Sequence, residues 1–321
     1  MKKKYLVLSI CTLALFVGFL NNCSNKKVTS SQSEFTEIIS GYSAGLLSNS
    51  SSIKVRLMEP IDNAFQEQLS NEELFSFEPN LSGSINWIDN YTVEFVPSDF
   101  LPSGTEFNVN FSVSKILPQK DIPDFSFNFQ TLQQAIFQNL IGIQQASSND
   151  YSILKYLGEI QTADNADFDN IEKIISAFQD GNQLDVIWET TESPKTYQFI
   201  IEGIKRSESA SEVSINWDGN IINANEKGSE TIQIPALGDF KLIKSTVKNS
   251  PNQKLSLHFS DPIKPNQNLN GLIYYKDIDS RLTFSVDGND INVFSNQVLL
   301  GDQTIVVNKS IKNSLNKPLK D

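Results

Sequence analysis

Histidine and cysteine are nearly absent from this chain, which has one histidine and two cysteines among 321 residues. A histidine general base therefore has a single candidate, His258, and the metalloprotease motif H-E-x-x-H cannot be formed. The phosphate-binding pattern G-x-x-x-x-G-K is missing as well. His258 stands between Leu257 and Phe259 in an alternating apolar run, so we interpret it as a strand residue that faces solvent, opposite the core. A catalytic triad around His258 stays open as the alternative, but we expect no enzyme and no cofactor.

Basic residues are outnumbered by acidic ones. Lysine and arginine number 26 against 38 aspartates and glutamates, which gives a formal net charge of −12. An acidic chain is repelled by phosphate, so we expect no nucleic-acid partner. Hydrophobic residues make up 39% and aromatic residues 10% of the chain. This composition supports packed cores, and the length suits two or three domains.

Both cysteines lie in the N-terminal region, at Cys11 and Cys23. A basic start, MKKK, is followed by an almost wholly apolar run over 5–20, and this order is typical of a secretory signal. The LNNC sequence that ends at Cys23 resembles a bacterial lipobox, although Asn22 stands where Gly, Ala or Ser is usual. We therefore predict a lipoprotein signal peptide over 1–22 and lipid attachment at Cys23. A plain cleaved signal peptide or a single-span anchor is the alternative.

The residues after this cysteine predict where the protein resides. Residues 23–34 are small and polar, and they predict a flexible tether between a lipid and the first domain. By resemblance to related lipoproteins, a surface-export signal after the cysteine would be acidic, and SNKK at 24–27 is not. We therefore expect a lipid-anchored protein of the bacterial cell envelope, on the outer membrane facing the periplasm. Because Cys11 lies in the predicted signal, the mature chain would hold neither an internal disulfide nor a cysteine-based metal site.

Period-two alternation dominates residues 35–131. It is clearest at Ile53–Leu57, at 107–111 and in the FSFNFQT segment that ends at Thr131. Asp89-Asn90 suits a hairpin turn between two further alternating runs. No segment here has helical periodicity, so we predict an antiparallel Ig-like β-sandwich over 35–131.

The middle segment, 132–237, has one stretch of helical spacing. Asp167 before it suits an N-cap and Gly181 after it suits a stop, so we predict a helix at about 167–179 within a β-rich domain. Apolar residues recur in this stretch at helical intervals, at Phe168, Ile171, Ile174, Ile175 and Phe178.

The third segment, 238–321, repeats the pattern of the first. IKVRLMEPI from Ile53 to Ile61 is echoed by LSLHFSDPI from Leu255 to Ile263. In both, an acidic residue and Pro-Ile follow the alternating run, and proline ends a strand because it cannot donate to the ladder. We interpret the echo as a structural repeat and predict a second Ig-like β-sandwich over 238–321 that superposes on the first. The chain is thus predicted to be mainly β, with tandem Ig-like antiparallel β-sandwiches and one α-helix in the middle domain.

Two acidic turns and three tryptophans have functional alternatives. The turns could bind calcium, but neither follows the EF-hand spacing, so we interpret one as a hairpin turn and the other as a helix start, and we expect no metal site. The tryptophans could form a sugar platform, yet each lies in an alternating strand where core packing is expected. The residues are Asp287, Asn289 and Asp290 in the first turn, Asp164, Asp167 and Asp169 in the second, and the tryptophans Trp87, Trp188 and Trp217.

Four longer phrases carry a resemblance to a known family: VSINWDGNII, EKGSETIQIPALGDFKLI, LHFSDPIKPNQNLNGLI and FSFEPNLSGSINWIDNYTVEFVPSDFLPSGTEFNVNF. The first three resemble the N-terminal region of bacterial alpha-2-macroglobulins, in particular the lipoprotein-type chains of the Bacteroidetes group. The fourth resembles the Ig-like domain that opens those chains. The resemblance covers residues 36–321 and is most specific over 239–273.

The resemblance implies a protease trap in the periplasm or on the cell surface. In this family a protease cleaves a bait region and the molecule closes around it, and many members carry a thioester in a C-x-E-Q motif, which this sequence lacks. We therefore expect the membrane-tethered N-terminal scaffold of an alpha-2-macroglobulin-like endopeptidase inhibitor, as a fragment or truncated chain. Proteases would be partners only through absent downstream domains. A stand-alone Ig-like envelope lipoprotein that binds a glycan or a protein partner is the alternative.

Overall fold

The computed structural model describes residues 35–70, 72–118, 122–147, 150–249 and 251–320. The chain is mostly β, with 50% strand and 7% helix. The predicted signal peptide, the lipid attachment at Cys23 and the tether lie outside the described residues.

Three separate hydrophobic cores divide the chain. Their buried members run from Phe35 to Phe129, from Ile136 to Ile234 and from Phe240 to Leu319. Each core lies between two sheets, so the chain is a tandem array of β-sandwiches, and the first and third are Ig-like in strand order. Each core lies within one of the domains predicted above. The residue boundaries of these domains remain predictions.

The first domain has eight strands and two short helices. These are β1 (Ile39–Tyr42), β2 (Gly45–Leu47), β3 (Ile53–Leu57), α1 (Asn63–Leu69), β4 (Phe75–Glu78), β5 (Gly83–Trp87), β6 (Thr92–Pro97), β7 (Glu106–Phe111), α2 (Val113–Ile116) and β8 (Phe125–Thr131). Two four-stranded sheets result, in the orders β1-β3-β6-β5 and β2-β8-β7-β4. Every second residue of β3 and β8 is buried, which is why the alternating sequence predicted them.

The expectation that this domain has no helix is wrong. Helix α1 begins after Asp62, whose carboxylate accepts a hydrogen bond from the Phe65 N–H at 3.0 Å. Leu69 is its one buried residue. Because α1 buries so little, its sequence has no apolar stripe that periodicity could detect.

The middle domain is built from eight strands. Its elements are β9 (Ile136–Ser147), β10 (Asp150–Thr162), α3 (Phe168–Ile171), β11 (Ile175–Gln179), β12 (Asn182–Leu184), β13 (Val186–Thr190), β14 (Thr196–Lys205), β15 (Ser211–Asp218), a 3-10 helix (Gly219–Ile222) and β16 (Lys227–Ile234). The sheet orders are β13-β14-β10-β9 and β12-β11-β15-β16.

The helix predicted at about 167–179 is wrong beyond its first turn. Asp167 does cap a helix, since its carboxylate accepts a hydrogen bond from the Asp169 N–H at 3.2 Å, but α3 has only four residues. The residues that follow form β11, between β12 and β15. Ladder bonds on both sides of β11 outweigh its local helical spacing. Gly181 is therefore not a helix stop, and with Asp180 it forms the positive-φ turn between β11 and β12.

The third domain has six strands. They are β17 (Leu242–Lys248), β18 (Lys254–Phe259), β19 (Ile273–Tyr275), β20 (Leu282–Asp287), β21 (Asp290–Ser295) and β22 (Ile305–Val307). Four of them form a sheet in the order β17-β18-β21-β20, and β19 pairs with β22 alone.

The repeat between the first and third domains is clear in the larger sheet. The strand orders correspond, and both sheets have a register shift at the same place, after the pairs Ile39↔Leu57 and Leu242↔Phe259. The second sheets differ, because the first domain has four strands there and the third has two. The echo in the sequence thus corresponds to a repeated fold. Among the described residues, only the first domain has four strands in both sheets.

Candidate functional site: two polar junctions between the domains

His258 lies at an interface and not in solvent, so that part of its interpretation is wrong. Its Nδ1 is 2.8 Å from Asp290 Oδ1, and its Nε2 is 2.9 Å from Thr246 Oγ1. Strand β9 of the middle domain contacts β18 beside His258. A Cβ on Gly142 would lie 2.8 Å from His258 Nδ1, so glycine is what allows this approach.

One nucleophile motif escaped the sequence interpretation. Residues 41–45 read GYSAG, which matches the G-x-S-x-G pattern of hydrolases. A nucleophile elbow joins a strand to a helix, whereas Ser43 lies between strands β1 and β2. Its hydroxyl accepts the Lys54 N–H at 2.9 Å, and its own N–H donates to the Lys54 carbonyl. Ser43 therefore ties two strand segments together, and His258 lies in another domain.

The two candidate calcium turns have structural partners. Asp290 contacts His258, and the Asn289 amide donates to the Phe259 carbonyl at 3.0 Å. Asp167 caps α3, and Asp164 is described below. Within the described part of the chain no three His, Cys, Asp or Glu side chains come together as metal ligands. The spacing of these acidic residues reflects turns and a junction.

The three tryptophans do not share a surface. Trp87 packs against the core of the first domain, whereas Trp188 and Trp217 pack against that of the middle domain. Trp188 also contacts Phe199, with ring centroids 5.2 Å apart. Their placement corresponds to the core packing that was expected.

The first junction is built around the buried carboxylate of Asp164. From the first domain, the Ser48 hydroxyl and the Asn49 N–H each donate to it at 2.6 Å. From the middle domain, the Asn165 N–H donates at 2.9 Å and the Lys195 ammonium lies 3.4 Å away. One side chain therefore holds a loop of the first domain to the middle domain.

These contacts decide the charge of Asp164. Burial by itself would raise the pKa of this carboxyl group. The hydrogen bonds from Ser48, Asn49 and Asn165, together with the charge of Lys195, outweigh burial and hold the pKa below its ordinary value of 3.8. Asp164 is therefore ionised near neutral pH. The ionised carboxylate accepts these hydrogen bonds more strongly than the protonated acid would.

The connection across this junction is short. Strand β8 ends at Thr131 and β9 begins at Ile136. Between them, the Gln134 side chain donates to the Asp164 carbonyl at 3.1 Å and accepts the Asp164 N–H at 2.9 Å. The linker is thus bonded to the residue that closes the junction, which restricts rotation of one domain about the other.

The second junction is built around the guanidinium of Arg206, directly after β14. Its Nη1 donates to Asp261 Oδ1 at 2.9 Å, and both side chains are buried, with exposures of 0% and 3%. Three backbone carbonyls accept hydrogen bonds from its Nε and Nη2, those of Pro235 at 3.2 Å, Ala236 at 3.0 Å and Asp239 at 2.8 Å. The guanidinium thus holds the segment that leads into the third domain.

Asp261 is the acidic residue of the sequence echo. Glu59, which occupies the equivalent position in the first domain, is exposed. The interpretation of the echo as a repeat did not foresee the role of Asp261, because the binding partner Arg206 is 55 residues away in sequence. One signal was available, since the chain has only three arginines, and arginine suits a buried multidentate site better than lysine.

Further polar contacts widen the second junction. They join β9, β10 and β16 of the middle domain to the third domain. These are Gln145 to the Ser260 carbonyl at 3.1 Å, Tyr151 with Ser314 at 2.7 Å, and Glu230 with Lys244 at 2.6 Å.

No helix in the described segments is both long enough and apolar enough to cross a bilayer. What the arrangement does chemically is to pair and bury charge between domains, and so to hold three sandwiches in a defined order.

No family model matches the chain, and no curated protein matches it. Solved structures give weak likenesses. L,D-transpeptidase 3 from Mycobacterium tuberculosis is similar over 38% of this chain and 46% of its own length, at 16% identity and a TM-score of 0.24. The titin I-band fragment I67-I69 is similar over 80% and 86%, at 9% identity and a TM-score of 0.24. The N-terminal part of the bacterial S-layer protein SbsC is similar over 59% and 42%, at 15% identity and a TM-score of 0.22.

The chain spans less than half the length of the L,D-transpeptidase 3 structures that it matches, 46% and 44%. All these TM-scores lie below 0.5, so the likenesses carry no argument about function. The Ig-like description of the first and third domains rests on their strand order.

Proposed function

We propose that this chain is a rigid, membrane-tethered scaffold that forms the N-terminal part of an alpha-2-macroglobulin-like endopeptidase inhibitor. The observation that carries the scaffold role is the pair of buried polar junctions at Asp164 and at Arg206 with Asp261. Domains within one chain move relative to each other by default. Here such movement would first have to separate buried charges from their partners, which is costly.

The inhibitor setting rests on the resemblance over residues 36–321. A lipid on Cys23 would hold the array at the outer membrane, facing the periplasm, and proteases would be met by domains beyond this sequence. A scaffold of this kind needs no nucleophile or metal. It needs its three domains held in one fixed arrangement, and the two junctions would do this.

A digestion assay tests the proposal. The soluble chain, residues 24–321, is mixed in excess with several endopeptidases and one large protein substrate, and we expect the substrate to be digested at the control rate. Stoichiometric protection would contradict the scaffold role and would place an inhibitory loop in these domains, with 202–231 as the first segment to mutate. A second arm labels cells with a fatty-acid analogue, and the Cys23→Ser variant is expected to lose the label and leave the membrane fraction.

Stiffness is measured separately by small-angle scattering. One rigid arrangement should fit the data for the wild-type chain, whereas an Asp164→Ala chain should need several arrangements. If the wild-type chain also needs several, the two junctions do not stiffen the array and the scaffold proposal fails.

A second candidate is a stand-alone Ig-like envelope lipoprotein that binds a partner. It is favoured by one surface at the far end of the third domain, where Val247, Val298 and Leu300 are exposed. Exposed apolar side chains in a group indicate an interaction site. Binding of a protein by the chain alone would favour this candidate over the inhibitor scaffold.

A further inference from the structure

A cleft of about 1210 Å³ lies beside the loop 265–271 of the third domain. In the repeat this loop takes the place of α1, because both segments begin two residues after the isoleucine of the echoed Pro-Ile. The loop is not helical, and its Asn266 has a left-handed φ of 57°. Asparagine favours turns over helix interiors, and the loop contains three of them. Residues of β20, an edge strand of its sheet, also line the cleft.

The loop is held in place by its own side chains. The Gln267 side chain donates to the Lys312 carbonyl at 2.8 Å and accepts the Lys312 N–H at 3.0 Å. Leu269 is buried in the core of the domain. The Asn268 Oδ1 accepts the Asn270 N–H at 3.1 Å. A loop fixed in this way loses little further freedom when a ligand binds, so the cleft is organised before binding.

Several polar groups that line the cleft are unused within the protein. The hydrogen bonds and ion pairs between described residues involve none of five side chains there, those of Asn266, Asn270, Tyr274, Arg281 and Thr283. All five are exposed. An amide or a hydroxyl group both donates and accepts hydrogen bonds. These groups are therefore available to a ligand that is itself rich in donors and acceptors.

The only charge in the cleft is positive. Among the described residues that line it, none is acidic and Arg281 is the one charged side chain. This contrasts with the whole chain, which has 38 acidic residues against 26 basic ones. A guanidinium presents its donors in a planar fork that matches the two oxygens of a carboxylate. The charge of the cleft therefore favours a ligand with a carboxylate group.

Two aromatic rings also line the cleft. Tyr274 is 45% exposed, whereas Phe284 is half-buried and packs against the core of the domain. A tyrosine ring combines an apolar face with a polar hydroxyl group. A sugar ring has the same two aspects, with C–H groups on its faces and hydroxyl groups around its rim. Exposed amides and hydroxyl groups beside an exposed ring are thus complementary to a saccharide.

We propose that the cleft binds an acidic oligosaccharide, a chain of sugar rings that carry carboxylate groups. A carboxylate pairs with Arg281, the ring hydroxyl groups exchange hydrogen bonds with Asn266 and Asn270, and one ring face lies on Tyr274. Pockets that hold a drug-sized molecule measure about 300–1,000 Å³, so a cleft of this volume has room for several rings. The site goes beyond the scaffold role, and it needs neither the lipid nor another domain.

Two acidic saccharides are the probes. Hexagalacturonate and hexamannuronate are titrated into the soluble chain, residues 24–321, by isothermal titration calorimetry. We expect saturable, one-to-one binding of at least one of them. Binding of neither would overturn the proposal.

Two matched ligands separate the charge from the sugar rings. The methyl ester of the bound saccharide keeps the rings and loses the charge, and it should bind about tenfold more weakly, because a charge-assisted hydrogen bond is lost. Hexaglutamate keeps the charge and has no sugar rings, and it should also bind about tenfold more weakly. Equal binding of the ester would overturn the role of the carboxylate. Equal binding of hexaglutamate would assign the cleft to an acidic peptide and overturn the saccharide.

Three variants locate the site. Arg281→Met should weaken binding of the acidic saccharide about tenfold and leave binding of its methyl ester unchanged, a split that misfolding would not produce. Asn270→Asp is nearly isosteric and adds a negative charge, so it should also weaken the acid more than the ester. Asn266→Ala removes an amide that bonds the rings, and it should weaken both.

Arg56→Met is the matched control for the loss of a guanidinium. Arg56 is exposed and lies in the first domain, so its replacement should leave the binding of both ligands unchanged. Circular dichroism checks that each variant folds. Unchanged binding by the Arg281→Met chain, or an equal loss in the Arg56→Met chain, would overturn the assignment to this cleft.

Discussion

The two interdomain junctions, one at Asp164 and one at Arg206 with Asp261, differ in their chemistry. At the first, the Asp164 carboxylate is bound by neutral donors and by the partly exposed Lys195. At the second, Arg206 and Asp261 are both buried and charged. Loss of Asp164 at the first junction leaves neutral donors and the partly exposed Lys195, which water can reach. Loss of a partner at the second leaves a buried charge without a counter-charge, so the second junction is expected to be the more sensitive.

The comparison also concerns the share of apolar packing at the two junctions. The buried members of each hydrophobic cluster belong to one domain, and at the second junction the half-buried Ile243 of β17 packs against the cluster of the middle domain. Most of the contacts that close the two interfaces are polar. Such polar contacts contribute less net stability than apolar packing would, and we expect them to favour one arrangement of the domains.

Arg206→Met is predicted to have the largest effect. It leaves Asp261 buried without its counter-charge, and we expect a loss of about 3–5 kcal/mol in the free energy of unfolding of the third domain. Denaturant unfolding with hydrogen exchange over 235–241 measures it. Arg281→Met is the matched control because Arg281 is exposed, and it should change nothing. Equal stability of the Arg206→Met chain and the wild type would show that the pair does not hold the junction.

The double variant Arg206→Met, Asp261→Leu sharpens this result. Removal of both charges leaves no uncompensated group, so part of the lost stability should return. If the double variant is no more stable than Arg206→Met, the loss came from packing and not from the unpaired carboxylate.

Asp164→Asn is predicted to have the next largest effect, about 1.5–3 kcal/mol at pH 7, because charge-assisted hydrogen bonds are replaced by weaker ones. Its pH dependence has a definite sign. The pKa of Asp164 is lowered in the folded chain, so its contribution is complete above the unfolded value of about 3.9 and is lost as the pH falls through the folded value. The stability difference from wild type should therefore be constant from about pH 5 to 7 and shrink below about pH 4. A difference that persists at low pH would point to packing.

Gly142→Ala tests the close contact at the second junction. The added Cβ would lie 2.8 Å from His258 Nδ1, and the φ of Gly142 is +156°. Overpacking of this kind costs about 1–3 kcal/mol, measured by thermal unfolding of the third domain. Gly41→Ala is the control, since nothing lies within 4 Å of its Cβ position. Normal unfolding of the Gly142→Ala chain would mean that β9 does not press on His258.

Lys227→Ala is predicted to have the smallest effect. Lys227 pairs with Asp218 at 2.7 Å, but the two side chains are 67% and 42% exposed. Water and salt screen such a pair, so thermal unfolding should match the wild type within the error of the measurement. A clear loss here would mean that exposed pairs, and not only the buried junctions, stabilise the array.

Alternating apolar residues were a good guide to β3, β7, β8 and β18, because the pleat places every second side chain in the core. The echo around Glu59 and Asp261 likewise predicted a repeated sheet. The helix after Asp167 failed beyond one turn, since isoleucines three and four apart also fit a turn followed by a strand. Nothing local to β11 says that two neighbouring strands will bond to it.

By itself the sequence determined the fold class, many of the strands and the hairpin turns at 89–90 and 288–289, because these follow from short-range sterics and the period of burial. Only the tertiary structure decided that His258 is enclosed, that Asp164 gathers donors from Ser48 and Asn49, and that Arg206 meets Asp261. These partners are separated by 116, 115 and 55 residues. The packed backbone decides which group lies within hydrogen-bond distance of a buried charge. No local sequence pattern specifies that pairing.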